Sequence, residues 1–179
     1  LEGNYHLRDE IGRGGMGTVY RAYDESLDRI VAVKFLRPEF LGETSLIERF
    51  RREARAMASI RHENVLQIFS FGIHDGIPFF IMEYIEGSTA EQLLDAAHQR
   101  GEFLPYHQTI KILVQAAAGL SAVHAAGVVH RDVKPGNIMV ESETGRAVIM
   151  DFGIGKRYSE TDTRRTQAPT GTPAYMAPE

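Results

Sequence analysis

The sequence predicts an α+β chain of two lobes, the first built of strands with one helix and the second mainly helical. Three observations carry that expectation. Apolar and β-branched residues alternate over the first 36 positions, a helical repeat follows and gives way to strands again before residue 85, and beyond residue 105 an apolar stripe recurs at three- and four-residue spacing.

Taken in order, residues 5–11 and 18–23 flank a glycine cluster, and Arg29–Leu36 is apolar and β-branched, so all three read as strands joined by turns. Leu46, Ile47, Phe50, Ala54, Met57 and Ala58 then share one helical face, with Ser45 and Glu48 forming a capping-box pattern at its start. Strand character returns at 65–71 and 78–85 around the turn His74-Asp75-Gly76. Past Gly87, Ser88 and Glu91 repeat the capping pattern before a short helix at 93–99. Pro105 and Gly127 bracket a longer helix whose stripe is Ile110, Leu113, Val114, Ala117, Leu120 and Val123. Runs at 137–141 and 146–151 around Ser142-Glu143-Thr144-Gly145 read as a hairpin, and the polar, aperiodic stretch 155–173 reads as a long loop. The domain boundary is expected between residues 84 and 85.

Composition narrows the function classes. With 43% hydrophobic and 25% charged residues over 179 positions, the chain has enough apolar material to bury a core and is not of the disordered type. Lys plus Arg number 20 against 24 Asp plus Glu, a formal net charge of −4, so no overall basic field draws it to nucleic acid or an anionic membrane. The absence of Cys excludes disulfides, thiolate zinc sites and a cysteine nucleophile. No run reaches the roughly 18 apolar residues of a membrane span.

Gly12-Arg13-Gly14-Gly15-Met16-Gly17 fits G-x-G-x-x-G, which in a dinucleotide-binding unit opens a helix. Here Thr18-Val19-Tyr20-Arg21-Ala22-Tyr23 alternates as a strand, which argues against an oxidoreductase. Strand, glycine turn, strand is instead a hairpin whose backbone can approach phosphates, the alternative being a plain surface turn. Lys34 is a single cation in the apolar run Val31-Ala32-Val33-Lys34, on the same strand face as Ala32. A buried ammonium needs anions around it, such as phosphates and a carboxylate. Glu53 is the candidate carboxylate, since Glu48 sits at the capping position; an ordinary ion pair is the competing reading.

The densest block is His130-Arg131-Asp132-Val133-Lys134-Pro135-Gly136-Asn137, followed by Asp151-Phe152-Gly153 and Ala177-Pro178-Glu179. With the glycine turn and Val31-Ala32-Val33-Lys34, these motifs in this order resemble the eukaryotic-like protein kinase family. Lys134, two positions after Asp132, points to the serine/threonine branch, and the run 171–179 looks most like bacterial members. The resemblance implies a bilobal fold, with a β-rich N-lobe of one helix over residues 1–84 and part of a mainly α-helical C-lobe over 85–179. It further implies ATP, Mg²⁺ and transfer of the γ-phosphate to Ser or Thr hydroxyls of proteins.

Carried over residue by residue, the resemblance assigns nucleotide contacts to Ile11, Gly12, Gly14, Gly15, Gly17, Val19, Ala32, Lys34, Met82, Glu83, Ile85 and Met139. Lys34, held by Glu53, would bind the α- and β-phosphates, and Asn137 and Asp151 would ligate Mg²⁺. Asp132 would take or orient the acceptor hydroxyl proton, Lys134 would stabilise the transferred group, and Thr172 would tie both to the substrate loop. His130, Phe152, Met57 and Ile68 match an internal spine, so His130 reads as packing rather than catalysis. His62, His74, His98, His107 and His124 show no metal-ligand spacing. Arg49, Arg51, Arg52 and Arg55 are either a solvated helix face or a docking surface for a phosphorylated loop. Of Thr161, Thr163, Thr166 and Thr170, autophosphorylation is expected at Thr166 or Thr170, with Arg131 pairing the phosphate. Self-association for phosphorylation in trans and a cytoplasmic location, with any anchor outside this segment, are also implied. The alternative is a nucleotide-binding pseudokinase or regulatory scaffold, against which stands the presence of every residue the chemistry needs. The resemblance stops at Glu179 whereas the family continues through further helices, so a fragment with an exposed apolar patch on its long helix is expected.

Overall fold

A computed structural model of the chain describes residues 4–14 and 17–151, without the side chains of Arg49 and Glu53. It separates into two compact units, Leu1–Ser59 with Gln67–Tyr84 and Ile60–Leu66 with Ile85–Glu179.

The first unit is an antiparallel sheet of β1 (Tyr5–Arg13), β2 (Gly17–Asp24), β3 (Arg29–Leu36), β4 (Ile68–His74) and β5 (Ile77–Glu83), in the order β1-β2-β3-β5-β4. Period-2 alternation divides its central strands cleanly. Val31, Val33, Phe79 and Ile81 pack with Ala22 in one buried cluster, while Ala32 pairs with Met82 and Lys34 with Phe80 in the alternating positions. Against the Phe80 side lies α1 (Thr44–Ala58), whose fully buried Phe50 sits 4.9 Å from the Phe80 ring and 6.3 Å from Phe71. Burying one such ring contributes about 1.5–3 kcal/mol. The Ser45–Glu48 capping box does not form. The helix begins earlier, at Thr44, because the Glu43 carbonyl accepts from Leu46 N at 2.8 Å and Ile47 N at 3.2 Å, which places Ser45 inside the first turn.

In the second unit β6 (Gly87–Thr89), β7 (Ile138–Glu141) and β8 (Ala147–Ile149) form a small sheet in that order, with α2 (Ala90–Gln99) and α3 (Tyr106–Ala125). The expected hairpin is β7–β8. The capping pair of α2 is shifted by one residue from expectation: Thr89 Oγ1 accepts from Gln92 N at 3.1 Å, and Gln92 Oε1 accepts from Thr89 N at 2.8 Å, while Ser88 is taken by strand pairing with Val140. Gly127, at φ +71°, closes α3 with its N–H donating to His124 O.

Two sequence expectations change here for one reason. Strand β4 starts at Ile68 rather than 65, because Val65 bridges to Ile149 in parallel, Leu66 N donates to Ile149 O and Ile149 N donates to Asn64 O, each at 2.9 Å. Residues 60–66 are thereby drawn into the second unit. The same segment determines which face of α3 is buried. Ile112, Ala116, Gly119 and Val123 pack inward, whereas Leu113 and Val114 of the anticipated stripe are 55% and 63% exposed. At Gly119 itself no side chain fits, since a Cβ there would stand 2.4 Å from the Asn64 carbonyl oxygen. Gly119→Ala is therefore expected to destabilise the fold by about 1–3 kcal/mol through overpacking against backbone, read as a lowered midpoint in urea. An unchanged midpoint would refute the close approach. No described helix is long and apolar enough to cross a membrane.

Candidate active site

In the first unit, β1 and β2 close on a turn in which Gly14 N–H donates to Gly17 O at 2.9 Å. Among the described residues, a Cβ at Gly12 would meet nothing within 4 Å, and one at Gly14 only the Gly17 oxygen at 3.9 Å. No described residue demands glycine at these two positions, and bare backbone there leaves room for another group to approach. Gly17 differs. Its Cβ would fall 2.6 Å from Phe35 O and 3.2 Å from Lys34 Cγ, so this glycine lets β2 lie close over the lysine stem. Lys34 is 9% exposed, with its ammonium 5.7 Å from the Phe80 ring centroid.

Val19, opposite Lys34 in the ladder, is half-buried, and Ala32 and Met82 are buried neighbours. Glu83 N–H donates to Gln67 O at 2.9 Å, and Ile11 stays exposed at the rim of β1. Glu53 falls within α1, but its side chain, and Gly15, lie outside the described residues.

In the second unit the loop before β7 gathers the other candidates. Asn137, buried in the 3-10 turn Pro135–Asn137, donates both amide hydrogens to Asp132, at 2.7 Å to the carbonyl and 3.0 Å to Oδ2. Lys134 Nζ lies 3.5 Å from the same Oδ2. Asp132, 8% exposed, thus has its carboxylate held from two sides in a place of restricted solvent. With both amide hydrogens of Asn137 committed, its Oδ1 is a buried acceptor that no described donor reaches. That oxygen and the half-buried Asp151 carboxylate are hard donors of the kind that suits Mg²⁺, an ion that takes one or two protein oxygens and completes its shell with waters and phosphates. Met139 is half-buried in β7 and Ile85 is buried. Thr172, Phe152, the loop threonines and the run 177–179 lie outside the described residues.

His130 is more than packing, and this the sequence did not disclose. Its Nδ1 accepts from Asp132 N–H at 3.3 Å, so the ring proton sits on Nε2, which donates to Met150 O at 3.1 Å. One neutral imidazole therefore links the Asp132 backbone to the residue before Asp151. Burial holds its pKa below the ordinary value, outweighing the Met150 carbonyl and the Asp132 and Asp151 charges that act the other way. Unfolded chain binds the proton first, near about pH 6.5, so this contribution to stability is complete above that pH and declines as the pH falls below it. We expect the melting temperature to drop on acidification from neutral pH, and His130→Gln, which keeps an acceptor and a donor without titrating, to flatten that drop. Identical pH slopes would contradict it. Backbone strain brackets the same link: Arg131 and Asp151 adopt φ of +66° and +52°, a region non-glycine residues enter at a cost of about 1–3 kcal/mol. Aspartate enters this region more readily than most residues, whereas arginine gives no such signal in sequence.

A profile of the protein kinase domain matches residues 5–179. The chain belongs to the protein kinase family. Among curated relatives of this kinase chain, serine/threonine-protein kinase PknL of Mycobacterium tuberculosis is 38% identical over 179 residues, 100% of this chain and 44% of the relative. PrkC of Bacillus subtilis is 36% identical, again over 100% of this chain but 27% of its own length. Among solved structures, the kinase domain of Mycobacterium tuberculosis PknI superposes with a TM-score of 0.71 at 29% identity, covering 86% of this chain and 60% of that one. The chain thus spans from about a quarter to under half of the curated relatives' length. The α+β kinase fold expected from the motifs is the fold observed.

Proposed function

We propose that this chain carries the catalytic site of a serine/threonine protein kinase, moving the γ-phosphate of ATP to Ser or Thr hydroxyls of proteins. The observation that carries the reading is the buried Asp132 carboxylate held by Asn137 and Lys134. Phosphoryl transfer asks a protein for positioning and charge neutralisation rather than for a nucleophile of its own. Asp132 is built for that: an ionised, immobilised carboxylate can accept the acceptor hydroxyl's hydrogen bond and proton. Lys134, pinned beside it, supplies a cation for the phosphoryl oxygens.

Asn137 Oδ1 and Asp151 would hold Mg²⁺, which neutralises phosphate charge when bound. Gly12, Gly14, Gly15 and Gly17 keep side chains away from the phosphates, and Lys34, itself held by Glu53, neutralises them. Ile11, Val19, Ala32, Met82 and Met139 give the adenine an apolar seat, and Glu83 and Ile85 its backbone contacts. Thr172 ties the substrate loop to Asp132 and Lys134. The domain acts in the cytoplasm, and copies associate to phosphorylate one another.

The test is direct. Full-length protein with Mg²⁺ and γ-labelled ATP should label a generic basic protein, and hydrolysis should return phosphoserine and phosphothreonine. No label, or phosphotyrosine alone, would overturn the proposal.

A further inference from the structure

Strand β8, which leads into Asp151, is bonded along both edges. On the β7 side Val148 pairs with Met139, and Met150 N–H donates to Asn137 O at 3.0 Å. On the other edge Ile149 N–H donates to Asn64 O and its carbonyl accepts from Leu66 N–H, each at 2.9 Å, but this parallel contact is a single bridge at Val65. Two residues back on that edge, Ala147 is met by side chains instead. Its N–H donates to Gln115 Oε1 at 2.9 Å, and its carbonyl accepts from Asn64 Nδ2 at 2.8 Å. Asn64 Nδ2 also donates to Gln115 Oε1, at 3.0 Å, while Gln115 Nε2 donates to Gly145 O at 3.4 Å. Asn64 is 4% exposed, and Gln115 is half-buried on α3 between Ile112 and Ala116 of the inward face. Two side-chain amides thus stand where a neighbouring strand would be.

An amide that satisfies buried backbone is ordinarily a fold stabiliser. Here the strand it holds ends at a residue in an unfavourable conformation. Asp151 has φ of +52°, and such a conformation persists only where the surrounding structure over-determines it. His130 and Asn137 hold Met150 from the front, and Gln115 and Asn64 hold the outer edge of the strand behind it. We propose that Gln115 is a positioning residue for the Mg²⁺-binding Asp151, acting through the outer edge of β8. The inference rests on the kinase reading above, in which Asp151 holds the metal. Because Gln115 Oε1 is the shared acceptor of two donors, its loss releases Ala147 N–H and one hydrogen of Asn64 together. The strand can then shift on β7 and let the Asp151 backbone relax, which moves a metal ligand. Asp132 and Lys134 belong to the loop before β7 and stay in place. Metal affinity therefore falls before the transfer step is touched.

The experiment uses full-length protein and two readouts: the affinity of a fluorescent ATP analogue in Mg²⁺ and in EDTA, and phosphoryl transfer as free Mg²⁺ is raised. Gln115→Met keeps the volume and removes the acceptor. It should cut the tightening of the analogue by Mg²⁺ about threefold to tenfold, the usual contribution of one hydrogen bond, and leave affinity in EDTA unchanged. Half-saturating Mg²⁺ for transfer should rise in step, with turnover recovering at high Mg²⁺. Gln115→Glu keeps an oxygen for both donors, with Lys111 one helical turn away to balance its charge, and should restore the Mg²⁺ dependence of the unsubstituted protein. If Gln115→Met does not fold, Gln115→Asn, whose amide stops a methylene short of Ala147, carries the same expectation. A lowered melting temperature with unchanged Mg²⁺ dependence would overturn the inference, leaving Gln115 a fold stabiliser and the kinase reading intact. So would a loss in Gln115→Glu as large as in Gln115→Met. Analogue binding indifferent to Mg²⁺ and no transfer in the unsubstituted protein overturn both.

Discussion

Asp132→Asn is expected to lower phosphoryl transfer by about 10²- to 10⁴-fold while nucleotide binding persists. The substitution keeps the shape of a residue that is 8% exposed, and its amide oxygen can still accept from Asn137 Nδ2, as the carboxylate does at 3.0 Å. What it removes is the negative charge and the basicity that the acceptor hydroxyl needs. Single-turnover transfer and a separate titration with a fluorescent ATP analogue distinguish the two properties. Turnover near that of the unsubstituted enzyme would remove Asp132 from the mechanism, and loss of nucleotide binding would give it a different role.

Lys34→Met is expected to reduce transfer by about 10²- to 10³-fold, the usual consequence of deleting one preorganised charge from such a site. Lys34 is 9% exposed in the ladder between Val19 and Phe80, and an unbranched apolar side chain of similar length fills the same space, so the folded state should persist. The melting temperature should fall modestly, because a buried charge loses its counterpart. Active Lys34→Met protein would refute the assignment, and a collapsed melt would show that the lysine is primarily structural.

Where local pattern and tertiary demand agree, the structure was legible from residues alone. The Val31-Ala32-Val33-Lys34 alternation put Lys34 on the face it occupies, and Gly127 marked the end of α3 through the left-handed turn only glycine enters readily. The family resemblance assigned Asp132, Lys134 and Asn137 to one site, and the fold brings these three within hydrogen-bond or ion-pair reach. His130 was legible only in part: an apolar setting implies burial, but nothing in the sequence says that its two nitrogens join Asp132 to Met150.

The family, the order of its elements and the identity of the candidate residues were determined by the sequence itself, because short motifs and hydrophobic periods are local properties of the chain. Three matters were decided only by tertiary structure: the allocation of 60–66 to the second unit, the buried face of α3, and the meeting of Gln115 with Ala147. Each depends on a contact between residues far apart in sequence, Val65 with Ile149, Asn64 with Gly119, and Gln115 with Ala147. Periodicity names the apolar residues of a helix but cannot say which neighbour approaches it. On α3 backbone approaches backbone at Gly119, so the face that carries this glycine, with Ile112, Ala116 and Val123, turns inward and Leu113 and Val114 are left outside.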